Sequence, residues 1–145
     1  MATIKSYTDL SQSKTLSKIL SPESADMRYG YIAPYDYSDR MYDGGYDEIP
    51  YPKDFLIKNP NFSANEYDAE LPCWSLAALI EILPRSIEFK DDKYYLRFMK
   101  DYVEYANDEV SITGRCLHTT GNNNLVDASY EMILKLHEHK MLNKC

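Results

Sequence analysis

The chain lacks any apolar run long enough to cross a bilayer. Its longest, around Leu76 to Leu83, is broken by Glu81 and falls far short of the ~20 residues a spanning helix needs. No apolar stretch follows Met1-Ala2-Thr3-Ile4-Lys5-Ser6, so the start does not read as a signal peptide. Cysteine is scarce: Cys73, Cys116 and Cys145 are odd in number and show no paired spacing. That argues against a disulfide framework and for reduced thiols in a cytosol. Basic residues are outnumbered, 16 against 23 acids, for a formal charge of −7. Nucleic-acid affinity comes mostly from Lys and Arg displacing counterions, so non-specific DNA or RNA binding is not expected. A local basic patch stays open on this argument, as does a basic protein partner.

What is present suits one globular domain spanning residues 1–145. Apolar residues make up 44%, an ordinary globular share. A chain of this size buries about 68–70% of the surface its unfolded form exposes, so it needs no disulfide or metal to fold.

The patterning predicts an α+β fold. Leu10, Leu16, Ile19 and Leu20 line one side of a helix over 8–20, with Thr8 as N-cap and Asp9 in the first turn. Ser21-Pro22 ends it and opens a short second helix to about Met27. Residues 28–70 show no lasting period. Seven of the 14 tyrosines lie between Tyr29 and Tyr51, among Pro34, Gly44, Gly45, Pro50, Pro52 and Pro60. Disordered segments are poor in aromatics, so this stretch reads as ordered but irregular, wrapping the core.

Leu76, Leu79, Ile80 and Leu83, with Trp74, Ala77 and Ala78, predict a helix over 74–83 that is apolar nearly all round and so buried. Strands are expected at Ser86–Phe89, Tyr94–Met99, Tyr102–Ala106 and Val110–His118, with turns at Asp91-Asp92 and Asn107-Asp108. Such short turns allow only an antiparallel meander. In the last strand Val110, Ile112, Gly114, Cys116 and His118 are expected on one side, with Arg115 and Leu117 on the other. A final helix over 125–139 has Asn124 as N-cap and Asp127 in its first turn. The expected core is a three- or four-stranded antiparallel sheet packed against helices 74–83 and 125–139.

Three stretches carry a resemblance. They run from Gln12-Ser13-Lys14 to Ser24-Ala25-Asp26-Met27, from Leu71-Pro72-Cys73-Trp74-Ser75-Leu76 to Leu83-Pro84, and over Asn124-Leu125-Val126-Asp127-Ala128 with Glu131-Met132. In order and spacing they resemble a family of small proteins, without assigned activity, from genomes of gut bacteria and their phages or mobile elements. The resemblance implies a phage or mobile-element accessory protein in the cytoplasm of a bacterial host cell. Some such proteins inhibit host defence by binding an enzyme or sequestering a nucleotide signal. No functional residue carries over from it.

Four constellations merit weighing for chemistry. Cys73 precedes a helix whose N-terminus lowers a thiol pKa, but a nucleophile needs a base from His118, His137 or His139. The plainer reading is a cysteine packed beside Trp74. Cys116 and His118 alternate on a strand, yet no motif supplies the roughly four converging ligands of a zinc site. No cofactor motif appears, and the chain reads as non-enzymatic.

Thr119-Thr120-Gly121-Asn122-Asn123-Asn124 leads into a helix N-terminus, where backbone N–H groups can hold an anion. It is neither a Walker loop nor a dinucleotide fingerprint, and a capped polar connection is the plainer reading. Tyr29, Tyr31, Tyr35, Tyr37, Arg40, Tyr42 and Tyr46 are the candidate partner-binding residues, because tyrosine gives large amphipathic contact area at low entropic cost. With Arg28 and Arg40 they also suit stacking on a base. Asp36, Asp39, Asp43, Asp47 and Glu48 add an acidic rim suited to a basic partner. The leading expectation is a protein-interaction module. The alternative is a binder of a nucleotide or other anion through residues 119–125.

Overall fold

The computed structural model describes residues 4–32, 35–37, 40–42, 44–52, 69–107 and 114–142. They group into two compact units, Asp9–Trp74 and Met1–Thr8 together with Ser75–Cys145. The fold is α+β, built on antiparallel sheets and helices. Among the described residues no helix is long and apolar enough to cross a membrane.

In the Asp9–Trp74 unit, helix α1 spans Leu10–Leu16. Its N-cap is Asp9, not Thr8. The Asp9 carboxylate accepts from the Gln12 N–H at 2.8 Å, and the Gln12 side-chain oxygen accepts from the Asp9 N–H at 3.1 Å. This reciprocal pair satisfies two orphan donors at once, which explains why Asp9 takes the position while Thr8 is buried. The expected second helix is a single 3-10 turn, Pro22–Ser24, capped by Ser21.

Strands follow where an irregular segment was expected: β1 Met27–Ile32, β2 Tyr35–Tyr37, β3 Arg40–Tyr42, β4 Gly45–Tyr46, β5 Tyr51–Pro52 and β6 Ala69–Cys73. β1 is the spine. Met27 faces Cys73 of β6 on one edge and Pro52 of β5 on the other, while Tyr31 and Ile32 pair with β4. β2 and β3 form a separate antiparallel ladder. Tyrosine suits a pleated, half-buried surface, but strands of two or three residues are too short for a period of two to declare itself.

Register puts Tyr29, Leu71 and Cys73 on one face of this sheet. All three are buried, and α1 packs on β6 with Leu16 buried as well. Arg28, Tyr51 and Glu70 share the other face. There Glu70 accepts from the Tyr51 hydroxyl at 2.6 Å and lies 3.8 Å from Arg28 Nε. Arg28 also donates to the Met27 and Pro22 carbonyls, so β1, β5, β6 and the 3-10 turn meet at its guanidinium. Trp74, fully buried, donates from Nε1 to Ser24 Oγ at 3.0 Å.

In the other unit, helix α2 spans Leu76–Ile82, with the Ser75 hydroxyl accepting from the Ala78 N–H. It starts later than expected because Cys73 still belongs to β6 and Ser75 is the cap. It is also one-sided: Ala78, Leu79 and Ile82 are buried, while Ala77, Ile80 and Glu81 are exposed. Strands β7 Ser86–Phe89, β8 Asp92–Phe98, β9 Val103–Ala106 and β10 Arg115–His118 form an antiparallel meander in chain order. β9 is a separate strand and not a continuation of β8.

The β7–β8 turn is Lys90-Asp91, one residue earlier than expected. Both have left-handed backbones, φ 52° and 68°, as a two-residue turn matching the strand twist requires. Between Arg115 and Leu117 the register shifts. This bulge corrects the simple alternation: Arg115 and His118 share one face of the sheet, and Leu117 takes the other. The expected strand residues 110–113 lie outside the described set.

Ile87, Tyr94, Val103 and Tyr105 are buried on one face. Helix α3, Leu125–Glu138, packs against β9, β10 and α2. The Tyr105 hydroxyl donates to the Pro84 carbonyl at 2.6 Å, and burial pushes its pKa above the ordinary phenol value. α3 ends in a paired motif: Met141 N–H donates to Leu136 O, Lys140 N–H to His137 O, and Lys140 is left-handed at φ 59°. Glycine is the usual residue there.

Candidate functional site

The Tyr-rich segment divides between core and surface. Tyr29 is only 2% exposed. It belongs to the core face of β1 and offers no contact area, which corrects its inclusion among the partner-binding candidates. Tyr31 and Tyr46 are half-buried and stack across the β1–β4 pair, with ring centroids 5.0 Å apart and planes tilted by 58°. Lys14 of α1 sits over the Tyr46 ring, its Nζ 5.5 Å from the centroid. That places the Tyr31–Tyr46 pair on the helix side of the sheet.

Tyr35, Tyr37, Arg40 and Tyr42 fall on the β2–β3 ladder, where Tyr35 faces Tyr42 and Tyr37 faces Arg40. Asp47 donates its backbone N–H to Gly30 O. Of the acidic rim, Asp39 and Asp43 lie outside the described residues.

The connection over 119–124 spends its polar groups internally. Thr119 is buried. Its hydroxyl accepts from the Val103 N–H at 3.0 Å, and its own N–H donates to Val103 O, extending the β9–β10 ladder by one rung. The Glu131 carboxylate takes both the N–H and the hydroxyl of Thr120, at 2.9 and 3.0 Å. Asn122 donates its N–H to Asp101 O and its side-chain amide to Thr120 O. Asn124 caps α3, accepting from the Asp127 N–H at 2.8 Å and donating to the Asp127 carboxylate, which also pairs with Lys5. Gly121 has open space around it. An anion here would compete with the Glu131 carboxylate for the Thr120 donors and be repelled by its charge. Glu131 is the residue sequence reasoning missed. It sits on α3 eleven positions beyond Thr120, so only the helix packing brings it to the loop.

The remaining candidates do not converge. Cys73 is buried, and burial pushes the Cys116 thiol pKa up, away from thiolate. His118, His137 and His139 are exposed. Among the described residues no three of His, Cys, Asp and Glu gather in a metal-binding cluster. No family model, no curated protein and no solved structure matches the chain.

Proposed function

We propose that the protein is a non-enzymatic protein-interaction module whose contact surface is the Tyr-rich segment. The observation that carries this reading is the register of the β2–β3 ladder, which pairs Tyr35 with Tyr42 and Tyr37 with Arg40. Tyrosine and arginine are the residue types that concentrate binding energy in interfaces. The half-buried Tyr31–Tyr46 pair, with Lys14 above it, is a second aromatic cluster in the same segment. The sequence resemblance suggests a phage or mobile-element accessory role, in which the partner is a bacterial host protein that is bound or inhibited.

Replacing Tyr35, Tyr37 and Tyr42 together by Ala is expected to abolish partner capture in a pull-down while leaving the circular dichroism spectrum unchanged. Undiminished capture by the triple variant sinks the reading. A thermal-shift screen against nucleotides addresses the anion-binding alternative: a shift that disappears in Asn124→Ala but persists in the tyrosine variant favours that alternative instead.

A further inference from the structure

Strand β7 ends its sheet, and among the described residues no strand pairs with its outer edge. The phase of its hairpin fixes which backbone groups that edge offers. The left-handed turn Lys90-Asp91 closes on Phe89 and Asp92. In a two-residue hairpin that closing pair exchanges ladder bonds, and bonded pairs then alternate along the strands. The Leu96 N–H donates to Arg85 O at 2.9 Å, which agrees with that phase at the far end. Arg85, Ile87 and Phe89 thus turn their N–H and C=O groups toward β8, while Ser86 and Glu88 turn theirs outward. Arg85, Glu88 and Phe89 are exposed. Lysine, proline and bulges are the usual guards of an open edge. None of them interrupts Ser86–Phe89, and its one charge, Glu88, faces Lys93 of β8.

A second copy, antiparallel to β7 across a two-fold axis, meets this edge with the same residues. Three registers bring the outward groups together. Centred on Ser86, the pairing brings Glu88 against Pro84, which has no N–H to give. Centred on Glu88, it sets two carboxylates directly opposite, a destabilising pair. Centred on Ile87, it brings Ser86 of each chain against Glu88 of the other and uses every outward N–H and C=O of both. The same register places Arg85 opposite Phe89 of the second copy. Those are non-hydrogen-bonded positions, where side chains come closest, and a guanidinium stacks on an aromatic face. Lys90 Nζ already lies 5.3 Å from the Phe89 centroid, so the side left for the guanidinium is the opposite one.

We propose that β7 is a self-association edge, at which two copies of the chain pair β7 to β7 in the register centred on Ile87 and join their four-stranded sheets into one. The occupant is a second copy because the edge supplies its own complements. Serine meets glutamate on one face of the joined sheet, arginine meets phenylalanine on the other, and no like charges stand opposed. The two-fold axis uses both β7 edges, so this contact closes at two chains. The seam is one short strand per chain, at the small end of protein interfaces. Two paired rungs of two main-chain bonds each, with the flanking side chains, give an expected Kd of about 0.1–1 mM. The proposal is independent of the protein-partner reading, because none of these residues lies in the Tyr-rich segment.

The test is sedimentation equilibrium of the full chain over a concentration series. At about 1 mM chain, roughly half or more of the material is expected as dimer. Ser86→Glu sets like charges opposite Glu88 twice in the seam and weakens the dimer about two- to thirtyfold. Ser86→Lys sets opposite charges there and tightens it within the same range. Adding Glu88→Lys to Ser86→Glu restores the parent affinity. Glu88→Pro removes an outward donor without touching the β7–β8 bonds, so it abolishes the dimer while the circular dichroism spectrum stays that of the parent. Absence of dimer at about 1 mM chain overturns the proposal. So does a dimer on which Ser86→Glu and Ser86→Lys act alike, which keeps the test decisive even if the proline variant misfolds. Mass that keeps growing past two chains also overturns it, because a two-fold seam closes.

Discussion

The Tyr-rich segment and the Asn-rich connection are both dense in hydrogen-bonding side chains, and they use them differently. In residues 119–124, Thr119, Thr120, Asn122 and Asn124 are tied to Val103, Glu131, Asp101 and Asp127. In the Tyr-rich segment, Tyr29 is buried, Tyr31 and Tyr46 stack half-exposed, and β2 pairs with β3 in an antiparallel ladder. Thr and Asn side chains are short, so they reach only local partners and tend to close turns and caps. A tyrosine can place its ring on a surface and keep its hydroxyl wet. Composition alone makes both segments look like sites; the bonding makes the Asn-rich connection a structural joint.

This contrast can be broken by stability measurements, best read as shifts in urea midpoint. The largest effect is expected for Tyr29→Ala, which empties a fully packed position and costs about 3–5 kcal/mol. A cost near that of a surface substitution would return Tyr29 to the partner-binding candidates. Thr119→Val keeps the shape but removes the acceptor for the buried Val103 N–H, costing about 1–3 kcal/mol. If the change proves neutral, the joint reading of this connection loses its anchor. Asn124→Ala removes the α3 cap and costs about 1 kcal/mol. Gly121→Ala is expected to stay within about 0.5 kcal/mol, because a Cβ there meets nothing within 4 Å and the backbone is not left-handed. A large loss at Gly121 would mean that the loop is more constrained than its bonding indicates.

Much of the fold is legible in the residues. The α3 cap at Asn124, the helix around Leu79 and the antiparallel meander all follow from spacing and turn chemistry within a few positions of one another. The misses have identifiable causes. Thr8 and Asp9 are equally good caps by type, and Gln12 decides between them by closing the reciprocal bond. Asp91-Asp92 looks like the turn, but twist selects Lys90-Asp91. The segment over 28–70 hides its strands because β2 to β5 are two or three residues long and the spine β1 finds its main partner, β6, about forty residues away.

What the sequence determined by itself is the local grammar to within a residue or two: the main helices, the neighbourhoods of their caps and of the turns, and the overall acidity. Only the tertiary structure decided which chemistry those stretches keep available. Tyr29 and Tyr31 are near neighbours of the same type on the same face of β1, yet one is buried and the other half-exposed. Glu131 reaches Thr120 only once α3 is docked, and Arg115 comes beside Glu104 only because a bulge turns it to that face. The physical reason is the same in each case: burial and hydrogen-bond satisfaction depend on residues distant in the chain, and local spacing carries no record of them.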